Sequence, residues 1–264
     1  MTTDLLYDTA GHVATITFNR PERMNTITIS MLNGLSELLL QADADPEVRV
    51  IVLTGAGRAW CAGLDIGAAV SGDGIGGDGG GSMTGEFNLR DAPPVVLNKI
   101  DTPTVAALNG GAAGYGMDLA LGCDVRVAAE GAKLSAAYTA RGLVPESGGT
   151  WLLPRIVGWS AAAELLFTAR TLTAAEALDL GLVSRVVPGA ELDEAVAGLT
   201  ADIAANAPLA IRAAKRLMRH AMTEGLEDHV QRQYLALLPL FGSKDFREGL
   251  NSYMEKRPPE FTGE

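Results

Sequence analysis

The spacing of hydrophobic residues along this 264-residue chain changes character several times. Between His12 and Phe18, β-branched residues alternate with small ones after Gly11, which predicts a strand. From Thr28 to Ala44 the apolar positions Ile29, Leu32, Leu35 and Leu39 fall at helical spacing. Val48 to Thr54 is an apolar run that ends at Gly55-Ala56-Gly57, as expected of a buried strand entering a turn. Thr104 to Leu108 repeats that pattern and meets Asn109-Gly110-Gly111. Asp124 to Ala129 predicts a third buried strand and Leu182 to Val187 a later one. Strands alternating with helices predict a parallel α/β architecture.

The later part of the chain reads differently. Thr173-Ala174-Ala175-Glu176 forms a capping box opening a short helix that Gly181 closes. From about residue 190 the pattern is helical only. Pro208 sits at the start of a helix reaching about Glu224, and amphipathic helices follow around 226–241 and 244–256. The expected organisation is an α/β core over residues 1–190 and a helical region over 191–264, packed on that core because no long linker separates them.

With 47% hydrophobic and 20% charged residues, the chain has ample material for a core. Its 32 acidic and 21 basic residues leave a net charge of −11, which argues against a nucleic-acid partner. The local cation cluster Arg212, Lys215, Arg216 and Arg219 reads as a solvated helix face. Cys61 and Cys123 provide neither a disulfide framework nor a zinc site, and no metal is expected. The first residues lack a signal-peptide pattern, and no apolar run is long enough to span a membrane. These features predict a cytoplasmic enzyme of small-molecule metabolism. Residues 71–85 hold eight glycines in fifteen positions and predict a mobile surface loop. Gly74-x-Gly76-x-x-Gly79 within it neither follows a strand nor opens a helix, so no dinucleotide cofactor is implied.

The three histidines, His12, His220 and His229, are scattered, so the chemistry must come from carboxylates or backbone groups. Two turns suit backbone work. Gly55 to Asp65 follows one buried strand, and Asn109 to Asp118 runs from another into a helix. Small residues there would let a ligand reach main-chain N–H groups, and two such groups aimed at one oxygen make an oxyanion hole. Two carboxylates lie in comparable settings. Asp118 is the lone charge among Met117, Leu119, Ala120 and Leu121, and Glu146 lies in Val144-Pro145-Glu146-Ser147-Gly148-Gly149-Thr150. Either could equally be a helix-start acid that compensates the dipole.

Taken together, these segments resemble the crotonase (enoyl-CoA hydratase/isomerase) superfamily over nearly the whole chain. The resemblance rests on Asn19-Arg20-Pro21-Glu22-Arg23-Met24-Asn25, Trp60 to Ile66, Asn109 to Asp124, Pro145 to Pro154 and Ser243 to Phe261. It implies a ββα spiral core with a C-terminal helical trimerisation region, assembled as a homotrimer or a hexamer (dimer of trimers). It implies an acyl-CoA substrate, with coenzyme A part of the substrate and no separate cofactor. By matching position, the N–H groups of Leu64 and Tyr115 would form the oxyanion hole. Coenzyme A would run along Ala62, Leu64, Asp65 and Ile66 with Arg23 near its phosphates, and Lys256 matches a tail lysine that in relatives reaches the coenzyme A of a neighbouring subunit. Family hydratases resemble one another in having two glutamates. Here the first position is Asp118 and the second is Tyr138, a pocket residue, while Glu146 stands where those hydratases have glycine. A carboxylate at that turn is similar to certain enoyl-CoA isomerases and to the ring-opening isomerase of phenylacetate breakdown. The leading expectation is isomerase-type proton transfer by Glu146 with help from Asp118. A 2-enoyl-CoA hydratase using both carboxylates, and a non-catalytic acyl-CoA-binding protein, remain as alternatives.

Overall fold

The computed structural model describes residues 3–65 and 91–264. Ile66 and the glycine-rich segment 71–85 lie outside the described residues. Among those described, one six-stranded sheet is built from β1 (Leu5–Ala10), β2 (Val13–Phe18), β3 (Val50–Gly55), β5 (Thr104–Leu108), β7 (Val125–Ala129) and β10 (Arg185–Val187), in that order. β1 and β2 form an antiparallel hairpin, and every later pairing is parallel. The apolar run of β3 is explained by burial on both faces. Ile51 and Leu53 join the larger core, whereas Val50 and Val52 face the opposite side with Val105, Ala107, Val127 and Ala129.

Helix α1 (Ile29–Ala44) begins where the Thr28 side chain accepts the Met31 N–H at 3.2 Å, a side-chain N-cap. It lays Met31, Leu32, Leu35 and Leu39 into the larger core. Helix α2 (Pro93–Lys99) packs beside it. The predicted last strand proves shorter than expected. Leu182 and Val183 form a buried turn whose N–H groups both reach Ala177 O, so extended pairing begins only at Arg185.

A second sheet holds the short strands β4 (Ala59–Cys61), β6 (Gly111–Ala113), β8 (Lys133–Ser135) and β9 (Thr171–Thr173). β4, β6 and β8 each follow a strand of the first sheet after a tight corner. The corners depend on close backbone approach. Asn25, fully buried, donates to Ala56 O and Ala59 O at 2.9 and 2.7 Å. Asn109 accepts Gly55 N–H at 3.1 Å and donates to Gly57 O at 2.9 Å. A methyl group on Gly110 would lie 2.1 Å from Arg58 O, so only glycine fits there.

Helices α3 (Tyr115–Gly122), α4 (Gly149–Val157), α5 (Trp159–Thr168) and α6 (Ala174–Asp179) follow the short strands. The capping box at Thr173 and Glu176 is present with both reciprocal bonds. Helix α7 (Leu192–Ala204) covers the second face of the large sheet with Leu192, Val196 and Ala204. Helices α8 (Pro208–Ala221), α9 (Leu226–Leu240) and α10 (Lys244–Glu255) complete the chain.

The cation cluster on α8 is not a solvated face. Arg212 pairs with Asp43 at 3.0 Å, while Arg216 and Arg219 both pair with Asp101. Lys215 is only 8% exposed and sets its ammonium 2.7 Å from Asp124 and 2.8 Å from Thr102 O. The helical spacing placed these four residues on one side correctly, but the acids they meet lie about 90–170 residues earlier in sequence. The cluster therefore docks α8 onto the core. Replacing Lys215 with Met should cost about 1–3 kcal/mol, because Thr102 O and part of Asp124 would lose a buried partner. Urea denaturation of the variant against the parent protein measures this.

Candidate active site

β4 and β6 run parallel, with Ala59 opposite Gly111 and Cys61 opposite Ala112. Their C-terminal ends therefore emerge side by side. Beyond β4, Leu64 forms a parallel bridge with Ile27, in which Ile27 N–H donates to Gly63 O and Asp65 N–H to Ile27 O. That pattern uses the peptide groups on either side of Leu64 and turns its own N–H the other way. Beyond β6, Gly114 adopts φ 52° and ψ −125°, and Tyr115 opens α3 with an N–H that has no earlier helical carbonyl to meet. Among the described residues neither N–H has an acceptor. The two segments touch: a methyl on Gly63 would lie 2.8 Å from Ala113 O and 3.6 Å from Tyr115 N.

Asp118, in the first turn of α3, is 2% exposed. Its Oδ2 accepts from the Tyr138 hydroxyl at 2.9 Å, from Ser147 Oγ at 2.6 Å and from Gly149 N–H at 3.2 Å. Tyr138 and Ser147 are themselves buried and 3.1 Å apart. Burial pushes the Asp118 carboxyl up to about 6, against the pull of the three donors; the nearby Glu146 charge adds to the rise. Burial also raises Tyr138, as does the adjacent Asp118 carboxylate.

Glu146 sits one residue before this cluster and remains exposed. Enough protein surrounds its carboxylate to raise its pKa by desolvation. Ser147, the next residue, bonds Asp118, which places Glu146 beside the Asp118 cluster, and its charge raises the Tyr115 and Tyr138 hydroxyls and the Asp118 carboxyl. Among the described residues no cation pairs with it.

The sequence-predicted residues thus divide into groups. Leu64, Tyr115, Asp118, Tyr138 and Glu146 come together. Ala62 adjoins them, its N–H donating to Met24 O at 3.0 Å, and the exposed Arg23 is the residue before Met24. Exposed Arg58 reaches the Met24 sulfur at 3.0 Å, adding a second cation to that rim that was not picked out from the sequence. Asp65 is bound by Arg20 at 3.1 Å. Lys256 lies exposed at the C-terminal end of α10 with φ 55°. Ile66 is outside the described residues. Ser147 was missed, because a serine before two glycines carries no local signal and its partner Asp118 is 29 residues away. The histidines stay elsewhere: His12 contacts Glu47 O, while His220 and His229 flank Glu224. Among the described residues no group of three or more His, Cys, Asp or Glu is arranged to hold a metal ion.

Paired backbone donors near acidic side chains, at the ends of two parallel strands, are an arrangement chemically able to polarise a carbonyl and move a proton. Residues 8–264 match the family model described as enoyl-CoA hydratase/isomerase. The 1,2-epoxyphenylacetyl-CoA isomerase of Escherichia coli is 37% identical over 95% of this chain and 95% of its own. The short-chain-enoyl-CoA hydratase of Clostridium acetobutylicum is 31% identical over 97% of both. The crystal structure of an enoyl-CoA hydratase from Bacillus anthracis superposes with a TM-score of 0.88 at 34% identity, covering 99% of this chain and 100% of that one. The chain belongs to the enoyl-CoA hydratase/isomerase family, the crotonase superfamily, and is an enzyme of that fold.

The raised Asp118 carboxyl has a consequence for stability. Between its ordinary value of 3.8 and about 6, the folded state holds a proton that the unfolded state has released. Stability from this group is therefore highest below pH 4 and falls as pH rises through 6, by on the order of 2–3 kcal/mol. Asp118→Asn should remove that slope: its urea midpoint should exceed the parent's at pH 8 and approach it at pH 4.

Proposed function

We propose that the enzyme isomerises an enoyl-CoA thioester, with Glu146 carrying the proton. The observation that carries this reading is the contrast between the two carboxylates. Asp118 is buried with one oxygen taken by three donors, whereas Glu146, one residue from that cluster, is exposed and open to a ligand. In the reaction the thioester oxygen would rest between the N–H groups of Leu64 and Tyr115. Glu146 takes the proton from C2 of a 3-enoyl thioester, and the electron pair moves onto the carbonyl oxygen as a dienolate. The two N–H donors hold that charge. Protonation at C4 by the same carboxyl then gives the 2-enoyl product, with no net gain or loss of atoms.

Hydration requires a second acid or base that holds a water molecule opposite the first. Tyr138 cannot serve as a carboxylate, and its hydroxyl proton is directed at Asp118. The coenzyme A moiety is assigned to the rim beside Ala62, where Arg23 offsets part of the phosphate charge against the overall −11. Glu146→Gln should lower kcat for isomerisation of 3-enoyl-CoA by about 10²–10⁴-fold. Near-native turnover by that variant would remove Glu146 from the chemistry, and hydration of crotonyl-CoA faster than any isomerisation would favour the hydratase.

We further propose that the chain assembles as a homotrimer, alone or doubled into a hexamer. Helices α9 and α10 leave Leu226, Tyr234, Leu235, Tyr253 and Met254 between 61% and 85% exposed, an apolar display that a lone chain rarely keeps. Light scattering coupled to gel filtration should return three or six times the 27.5 kDa chain mass, and a monomer would contradict it.

A further inference from the structure

We infer that Asp118 is a positioning residue: it exchanges no proton with substrate, but clamps the turn that carries Glu146 by accepting from Tyr138, Ser147 and Gly149. The inference rests on Glu146 being the base. Three facts of geometry support it. Asp118 is 2% exposed, so it presents almost no surface to a substrate carbon, in contrast to Glu146. All three donors converge on Oδ2, so that oxygen is fully engaged as an acceptor, while the burial of the residue keeps Oδ1 from a substrate. The donors also come from two separate segments. Tyr138 precedes the turn at Thr139–Arg141, while Ser147 and Gly149 bracket the start of α4.

The consequence for Glu146 follows from chain connectivity. One peptide bond separates it from Ser147, whose hydroxyl is 2.6 Å from Asp118 Oδ2. Gly148 at φ 98° redirects the chain into α4, and Gly149 then returns its N–H to the same oxygen. A methyl group at residue 149 would lie 2.3 Å from Asp118 Oδ1 and 2.8 Å from Cγ, so the clamp closes only on glycine. The turn is therefore held at two points immediately after Glu146. Tyr138 braces the acceptor from the far side and touches Ser147 as well. An acceptor oxygen is what this arrangement requires, and an amide oxygen supplies one without being able to shuttle a proton.

Three variants separate the roles, each measured for kcat and KM with a 3-enoyl-CoA substrate. Asp118→Asn keeps the acceptor and should hold kcat within about tenfold of the parent. Ser147→Ala removes the nearer tie and should lower kcat by about 10²-fold while KM stays within about threefold, because substrate binds but the base is misplaced. Glu146→Gln should be the least active of the three. Asp118→Asn falling below Ser147→Ala, toward the level of Glu146→Gln, would overturn the clamp and make Asp118 a proton carrier. A Ser147→Ala protein with unchanged kcat would also overturn it. If Glu146→Gln stays active, the underlying assignment of the base fails, and that outcome is read without reference to the other two variants. Both Asp118→Asn and Ser147→Ala shrink or preserve the side chain, and circular dichroism confirms that each is folded before kinetics.

Discussion

Parallel pairing of β3, β5 and β7, with apolar side chains on both faces, is the constraint from which the rest of this molecule follows. A strand buried on both sides can neither tilt nor slide without exposing one face or opening a void. Because β3, β5 and β7 are held, the strands that continue from them after tight corners are held too. β4 and β6 therefore end side by side, which brings the segments carrying the N–H groups of Leu64 and Tyr115 together. The same constraint explains why the corners need buried Asn25 and a glycine at 110. An amide must satisfy carbonyls that turn away from both sheets, and a Cβ would strike the neighbouring corner.

Around those donors the site keeps two carboxylates in opposite conditions. One is enclosed, costs stability in its ionised form, and is compensated by two hydroxyls and a peptide N–H. The other stands open, with its pKa raised by the surrounding protein and, among the described residues, no cation paired with it. Environment separates the two more sharply than residue type does, since both are simple carboxylic acids. A base whose pKa is lifted toward neutrality removes carbon-bound protons more readily than an ordinary surface glutamate. The buried acid serves best where a fixed acceptor is needed.

Much of the large sheet and of the helical region was legible in the sequence because it rests on long periodic signals. The apolar runs at Val48–Thr54, Thr104–Leu108 and Asp124–Ala129 each became a buried parallel strand, and the Thr173 capping box formed as read. The second sheet was not legible. Its strands are three residues long, too short to show a period, and β6, Gly-Ala-Ala, is low in β-propensity as well. The α8 cations illustrate a different limit. Their common face was readable, but whether that face met water or Asp43, Asp101 and Asp124 depended on how α8 docks.

The sequence alone determined which residues could do chemistry here: two glycine-rich turns after buried strands, two acids in apolar or turn settings, and no histidine among them. It also determined the family, since five ordered motifs match it. Only the tertiary structure decided how those residues are arranged and bonded. Ser147 and Gly149 reach Asp118 across about thirty residues, and Tyr138 turns its hydroxyl onto the same oxygen. Hydrogen bonds between distant segments depend on angles and distances to within a few tenths of an ångström. No local pattern encodes them, and they are set only when the strands and helices that carry these groups have packed.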